Sequence, residues 1–329
     1  MIGIICPSPK GAKIANEIKD NMECKLYIKG EGDFSLKDVT KDAFEKCNLI
    51  IFISSTGIAV RAISKYIVSK DKDPGVVVID LCMKYAISLL SGHLGGANDL
   101  AIRLSKYLNI MPIITTATDG MGITAPDIIA KNNDLVIDDL KIAKYISSLL
   151  VDNKKVYVKD DYNILDISKG YYKSDNLKED SIWVTNNIIY EDNKNLDYKR
   201  ILKLIKKDII LGIGCRRNTP YEKLKDFIES TLKEYNFHIK SVKKIVSAEL
   251  KSDEKGIIEL SKYLNCPFET FSLEEIRSVH DKYEKSEFVL KTLGVGSVCE
   301  PCVDLGNGKV VVNKIKNSGM TLAIGIINW

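Results

Sequence analysis

The most unusual stretch of the sequence surrounds a single histidine, His93. Three glycines lie within three residues of it, between a predicted strand and a predicted helix. In such a loop, backbone N–H groups can converge on an oxyanion while the imidazole transfers a proton. A lone histidine is more often structural, and the chain has 3 histidines. Because His238 and His280 lie in Lys- and Glu-rich sequence that we expect to be exposed, we predict a functional role for His93 alone.

Two further segments in the same half of the chain could bind an anion or move a proton. Thr56, Gly57 and Arg61 follow a buried strand and begin a helix, where free N–H groups and a guanidinium would hold a carboxylate or phosphate. The alternative is a tight turn with a solvated arginine. Asp119 follows another predicted strand, although hydroxyl and Asx capping would also explain that segment. Open α/β sheets bind ligands at the carboxyl ends of their strands, so we expect Thr56, His93 and Asp119 to share one edge if their strands are neighbours.

The C-terminal part of the sequence repeats this arrangement. Arg216 and Arg217 follow a Gly-Ile-Gly strand end and precede a helix, which predicts a clamp for a carboxylate. Glu249 and Lys251 follow a later strand and could lie near it, although a charged loop is more often only solvated. The CxxC motif Cys299–Cys302 has no second pair and no histidine at zinc-site spacing, so we interpret its cysteines as small packed thiols.

Secondary-structure elements that could position these residues are evident in the hydrophobic pattern. Short β-branched runs alternate with amphipathic stretches, which is typical of an α/β fold with a doubly wound, mostly parallel sheet. The predicted N-terminal strands are 2–6, 24–28, 49–54, 75–80, 85–90 and 111–116, and the predicted helices are near 10–21, 38–47, 57–68 and 95–108. From about 126 to 207, polar residues are dense, and the predicted strands at 155–158 and 182–185 are short and isolated.

The pattern restarts near residue 208, so we predict three regions. These are an N-terminal α/β domain over 1–125, a small α/β middle region over 126–207 and a second α/β domain over 208–329. In the last, we expect a helix at 254–264 and strands at 309–312 and 321–327. Thr219 with Glu222 predicts a capping box at one helix start, and Ser272 with Glu275 three residues on indicates the start of another helix.

Composition excludes several classes of protein. The 329 residues are 45% apolar and 8% aromatic, as in a globular chain, and 48 Lys+Arg against 44 Asp+Glu give a net charge of +4. This weak charge has no basic block, so it does not favour nucleic acid and suits a small anionic ligand. No apolar run approaches the roughly 18 residues of a bilayer span. Met1–Cys6 resembles a first strand rather than a signal peptide, so we expect a cytoplasmic protein whose 8 cysteines are reduced.

Taken together, these segments resemble the CbiG family of cobalamin biosynthesis, the cobalt-precorrin-5A hydrolases of the anaerobic pathway. The resemblance covers nearly the whole chain, and its most specific motif is SLLSGHLGGAN at 88–98. The other matching segments are 56–61, 73–80, 115–119, 212–219, 251–256 and 294–301. The chain departs from the family pattern after Asp80, where Leu81 and Cys82 replace a second acidic residue, so Asp80 is not expected to form a carboxylate pair.

The resemblance implies a cobalt-containing macrocycle with acetate and propionate arms as substrate. Water opens its δ-lactone, and a meso carbon leaves with its methyl group as acetaldehyde. We expect His93 to transfer protons, Asp119 to orient His93 or water, and the N–H groups of residues 92–96 to hold an oxyanion. Cobalt arrives with the substrate, so no cofactor and no protein metal site are expected. The residues expected to bind substrate are Thr56, Gly57, Arg61, Ser91, Gly92, Gly95, Gly96, Asn98, Arg216, Arg217, Glu249, Lys251, Ser297 and Glu300.

Two other functions are compatible with parts of this sequence. A non-catalytic tetrapyrrole carrier in the same pathway would use the same basic clefts without needing His93. A nucleotide-dependent oxidoreductase or transferase would need a phosphate-binding fingerprint and an acidic ribose contact that the sequence lacks. The expected partners are the anionic tetrapyrrole and neighbouring pathway enzymes, with no nucleic acid and no membrane. The sequence leaves the oligomeric state open, a homodimer included.

Overall fold

The computed structural model describes residues 1–30, 32–69, 72–166, 168–191 and 195–327, without the side chain of Phe288. The chain divides into two compact units. The first comprises Met1–Asn132, Ser147–Lys155 and Ser168–Gly170, and the second comprises Asn133–Ile146, Val156–Ile167 and Tyr171–Trp329. Each unit builds its hydrophobic core on its own sheets. No helix in the described ranges is both long and apolar enough to cross a bilayer.

The first unit contains one six-stranded sheet. Its strands are β1 (Ile2–Cys6), β2 (Cys24–Ile28), β3 (Leu49–Ile53), β4 (Gly75–Ile79), β5 (Tyr85–Leu90) and β6 (Met111–Ile113), in the order β2-β1-β3-β4-β5-β6. Its helices are α1 (Ala12–Lys19), α2 (Leu36–Lys46), α3 (Thr56–Ile63), α4 (Ala97–Leu108), α5 (Ala117–Gly120) and α6 (Pro126–Asn132). Ile51 and Val77 point into one buried cluster, and Ile50 and Val76 into another. The sheet is therefore covered on both faces, as its continuous apolar runs predict.

The β4–β5 connection sets the direction of the second half of this sheet. Neighbouring strands are parallel except β4 and β5. Only residues 80–84 connect these two strands, whereas a parallel crossover needs about a dozen residues or more. Asp80 closes the turn, because its carboxylate accepts N–H bonds from Cys82 at 3.1 Å, Lys84 at 2.9 Å and Tyr85 at 2.7 Å. The carboxyl ends of β5 and β6 therefore lie at the edge opposite to the carboxyl end of β3.

The second unit contains two five-stranded sheets. One has the order β7-β11-β10-β8-β9 and the other β14-β13-β12-β16-β15. The strands are β7 (Leu135–Ile137), β8 (Val156–Asp160), β9 (Tyr171–Lys173), β10 (Ser181–Thr185), β11 (Ile201–Lys206), β12 (Ile209–Cys215), β13 (Val242–Ala248), β14 (Phe268–Phe271), β15 (Gly308–Asn317) and β16 (Met320–Ile327). The helices after residue 132 are α7 (Leu140–Val151), α8 (Tyr221–Glu234), α9 (Lys255–Tyr263), α10 (Leu273–Val279), α11 (Glu287–Leu293) and α12 (Cys299–Leu305).

The α/β class and the mostly parallel N-terminal sheet are confirmed. The middle region is more regular than predicted, because β10 is fully buried in the centre of a sheet instead of isolated. The sequence pattern did not predict β11 or α7, and β15 continues well beyond its predicted end at residue 312. Short, polar-flanked strands are recognised poorly when their partners are distant in sequence.

The helix start predicted at Ser272 is confirmed. Ser272 and Glu275 bond reciprocally at the start of α10. The Thr219 prediction was wrong, because α8 begins at Tyr221 and the Thr219 hydroxyl donates to the Arg216 carbonyl at 2.7 Å. Asn218 adopts a left-handed backbone conformation with φ of 59°, which turns the chain back before the helix begins.

Candidate functional site

His93 lies between two carboxylates in the loop that joins β5 to α4. Its Nε2 atom is 3.0 Å from Asp119 Oδ2, and its Nδ1 atom is 3.5 Å from Asp127 Oδ1. The side chains of His93 and Asp127 are 14% and 10% exposed, whereas that of Asp119 is 42% exposed. The three groups therefore form a row that runs from a buried carboxylate, through the imidazole, to a carboxylate open to solvent.

Asn98, at the start of α4, connects this row to the sheet. Its Nδ2 group donates to Asp119 Oδ2 at 2.8 Å and to Thr116 Oγ1 at 2.9 Å, and its Oδ1 atom accepts from Ser88 Oγ at 2.6 Å. Asn98 is only 6% exposed, so these bonds are sheltered from water. A Cβ atom on Gly92 would lie 2.6 Å from Asn98 Oδ1, which explains the requirement for glycine there.

The two carboxylates raise the pKa of His93 above its ordinary value. The largest cause is hydrogen bonding to the buried Asp127, followed by burial, which opposes it, and then by the attraction of Asp127 and of the more exposed Asp119. A raised pKa means that the imidazolium persists to higher pH in the folded protein. Its stabilising contribution is complete below the ordinary histidine pKa and is lost as the pH rises through the raised value.

Only part of the glycine-rich loop is available to a ligand. The N–H groups of Gly96 and Asn98 donate within the loop, to the carbonyls of His93 and Gly92, each at 3.0 Å. The N–H groups of residues 92–95 have no acceptor in the part of the chain that the structure describes. Of the N–H groups of residues 92–96 that were expected to hold an oxyanion, only those of residues 92–95 are therefore available. Ser91 has a strained φ of 51°, and its buried Oγ atom has no hydrogen-bond partner among the described residues.

Thr56, Gly57 and Arg61 lie at the other edge of the same sheet. They follow the carboxyl end of β3, and β5 runs in the opposite direction, so the expectation that Thr56, His93 and Asp119 share one edge was wrong. A five-residue strand separates the two edges by roughly 16 Å. Arg61 is exposed, and its Nη1 group donates to the Gly57 carbonyl at 3.1 Å within α3.

A second candidate site is a cavity of about 700 Å³ in the second unit. It lies between the segments that follow β12 and β13 and the turn between β15 and β16. Its wall combines apolar residues, Val289 and Leu293 among them, with five cations: Arg216, Arg217, Lys251, Lys314 and Lys316. Such a cavity suits a ligand with a large apolar surface and negatively charged arms.

The two predicted arginines differ in how they are paired. Arg217 forms an ion pair with Asp253, and its Nη2 group donates to the Leu250 carbonyl at 2.7 Å. Lys251 is likewise 3.3 Å from the buried Glu254. Arg216 and Lys316 have no carboxylate partner within the described ranges, so they are the cavity cations most available to an anion. Lys316 was not predicted, because only the β15–β16 pairing brings it to the cavity.

Glu300 is buried and hydrogen-bonded within the protein, so it is not open to a ligand. It is 3% exposed, and it accepts hydrogen bonds from the Ser297 hydroxyl at 3.0 Å and from the Lys314 N–H at 3.2 Å. Ser297 borders the cavity, whereas Glu249 is exposed and is not among the residues that line it. Burial raises the pKa of Cys299 to about 11, so this thiol is protonated at neutral pH.

The histidines outside the first unit are less exposed than expected. His280 is only 8% exposed, and its Nδ1 atom accepts the N–H bond of Gly296 at 2.7 Å. His238 is half-buried and lies 3.2 Å from Asp138. The expectation that both are exposed was wrong, because each has a partner that a charged local sequence does not reveal.

The fold and the two sites define an α/β protein with a histidine–carboxylate cluster in one unit and a cationic cavity in the other. Residues 38–119 match the family described as Cobalamin synthesis G N-terminal, and residues 209–325 match Cobalamin synthesis G C-terminus. A cobalt-precorrin-5A hydrolase of Salmonella typhimurium is 32% identical over 345 aligned residues, which cover 99% of this chain and 97% of that protein. A cobalt-precorrin-5A hydrolase of Priestia megaterium is 28% identical over 311, covering 90% and 83%. The chain belongs to the cobalamin synthesis G (CbiG) family.

Proposed function

We propose that this chain is a cobalt-precorrin-5A hydrolase of cobalamin biosynthesis. It opens the δ-lactone of its substrate with water and releases the two-carbon meso fragment as acetaldehyde, which gives cobalt-precorrin-5B. The observation that carries this proposal is the 32% identity, over nearly the full length of both chains, to the Salmonella typhimurium protein of that name.

The cluster around His93 supplies the groups that lactone opening needs. Hydrolysis of an ester requires a group that accepts a proton from water and a group that protonates the leaving oxygen. His93 and Asp119 are 3.0 Å apart, and Asp119 is open to solvent, so both roles can be filled at one place. The N–H groups of residues 92–95 would stabilise the negative charge on the carbonyl oxygen. Ser91 adds a hydroxyl with no protein partner in the described chain.

Recognition of the substrate rests on its negative charge. Arg216 and Lys316 border an apolar cavity and would each bind a peripheral carboxylate, worth about 1.5 to 3 kcal/mol for a well-formed charge-assisted bond. We also propose that cobalt arrives as part of the substrate and that the reaction needs no metal held by the protein. We also place the reaction in the cytoplasm, which is consistent with eight cysteines that form no disulfide.

Acetaldehyde formation tests this proposal. Purified protein is mixed anaerobically with cobalt-precorrin-5A, and acetaldehyde is measured through a coupled alcohol dehydrogenase. One equivalent of acetaldehyde per macrocycle, formed over many turnovers, is the expected result. Tight binding of the macrocycle with no acetaldehyde would instead identify a carrier, and this outcome would overturn the proposal.

A further inference from the structure

Asp127 contacts the cluster around His93 from a segment whose sequence indicates no functional residue. It lies in the first turn of α6, eight residues after Asp119. Its Oδ1 atom is 3.5 Å from His93 Nδ1 and also accepts the Ile128 N–H bond at 3.1 Å. Because its side chain is only 10% exposed, Asp127 is the buried end of the row Asp127–His93–Asp119.

The arrangement determines which protonation state of His93 fits the site. A neutral imidazole carries one N–H group and could donate to only one of the two carboxylates. With a carboxylate facing each ring nitrogen, both nitrogens donate only when the ring is an imidazolium. Three other charged groups belong to the neighbouring segments: Asp99 on α4 and Lys131 on α6 lie 3.7 Å from each other, and Lys169 donates to the Met121 carbonyl at 3.0 Å. Two negative groups therefore face His93, and they favour its charged form.

We propose that Asp127 is a positioning residue that holds His93 as an imidazolium, so that His93 is the proton donor and Asp119 the proton acceptor of the hydrolysis. This inference rests on the proposed function for the reaction itself. Water attacks the lactone carbonyl and gives a proton to Asp119. The acyl C–O bond breaks, and the departing oxygen takes the Nε2 proton of His93. The proton on Asp119 then passes to Nε2 across 3.0 Å, which restores both groups.

The protonation state can be measured without substrate. The chain contains only 3 histidines, so ¹⁵N-histidine labelling gives three sets of ring signals, and His93→Gln identifies the one from His93. In the wild type at pH 7, the two ring nitrogens of His93 should both give imidazolium shifts. Asp127→Asn keeps the shape of the side chain and removes its charge, and it should lower the titration midpoint of His93 by about 1 to 3 pH units. A neutral His93 in the wild type at pH 7 would overturn the proposal.

Turnover supplies the second measurement. Asp127→Asn should lower kcat for acetaldehyde release at least about tenfold, with KM within about twofold, and should move the alkaline limb of the kcat–pH profile to lower pH. Asp127→Glu should restore part of the rate. Asp138→Asn is the matched control, because Asp138 lies 3.2 Å from His238 in the second unit, and it should leave the rate unchanged. An unshifted alkaline limb in Asp127→Asn would refute the assignment. Absence of acetaldehyde from the wild type would refute the proposed function, while the NMR titration would still decide the state of His93.

Discussion

Asn98→Asp tests whether the amide of Asn98 holds Asp119 in place. The substitution keeps the side-chain shape but replaces the Nδ2 donor with an oxygen 2.8 Å from Asp119 Oδ2. Two charges at that distance repel by about 6 kcal/mol at an effective dielectric constant of about 20. Asp119 is 42% exposed, so solvent screening reduces this repulsion to roughly 3 kcal/mol. The pair avoids part of the repulsion by retaining one proton that two separate carboxylates would lose.

The sign of the pH dependence follows from this retained proton. Above the ordinary aspartate pKa of about 4, the folded variant retains a proton that the unfolded chain has lost, so its stability falls as the pH rises. We expect Asn98→Asp to be nearly as stable as the wild type at pH 4 and about 3 kcal/mol less stable at pH 7. The measurement is urea denaturation of both proteins across this range.

Ser88→Ala is the matched control for this experiment. It removes the 2.6 Å bond to Asn98 Oδ1 and leaves both donor bonds of the amide in place. This substitution should lower the free energy of unfolding by about 1 kcal/mol at every pH. A stability loss in Asn98→Asp that does not change with pH would show that Asp119 and residue 98 do not interact, and the described cluster would then be incorrect.

Three further substitutions test the second unit. Gly212→Ala places a Cβ atom 2.0 Å from the Cys299 carbonyl oxygen, so it should lower the free energy of unfolding by about 3 kcal/mol. A loss below about 1 kcal/mol in urea denaturation would contradict this packing. Arg216→Ala should raise KM for the macrocycle about tenfold, because Arg216 has no carboxylate partner among the described residues. Arg217→Ala should change this KM less than about threefold, because Arg217 is paired with Asp253. Equal effects of the two substitutions in steady-state kinetics would refute the distinction.

The sequence was sufficient to predict the fold class and to single out His93. Continuous apolar runs that alternate with amphipathic stretches identify an α/β protein, because strands buried on both faces of a parallel sheet are apolar throughout. The glycines around His93 were a reliable indication of a special loop, since Gly92 must approach Asn98 closely. The same reasoning placed Thr56 at the wrong edge. The shortness of segment 80–84 would have revealed the reversal of β5, because chain length alone excludes a crossover there.

Other parts of the site depend on contacts that no local pattern encodes. Asp127 follows Pro126 at the start of a short helix, and nothing in that segment distinguishes it from an ordinary helix-capping aspartate. Lys316 reaches the cavity only because β15 pairs with β16 beyond its predicted end. Arg217 was predicted to bind a carboxylate together with Arg216, but it forms an ion pair with Asp253, which is distant in sequence. Pairing between charged side chains is a property of tertiary structure, so sequence alone overstates the number of available cations.

The central claim is that the cluster around His93 breaks the lactone, and one single-turnover experiment tests it most directly. Wild type and His93→Gln are mixed anaerobically with less than one equivalent of cobalt-precorrin-5A, and bound macrocycle and released acetaldehyde are measured in the same samples. We predict that both proteins bind the macrocycle to a similar extent and that His93→Gln releases acetaldehyde at least about 100-fold more slowly. Equal rates of acetaldehyde release from the two proteins would contradict the account.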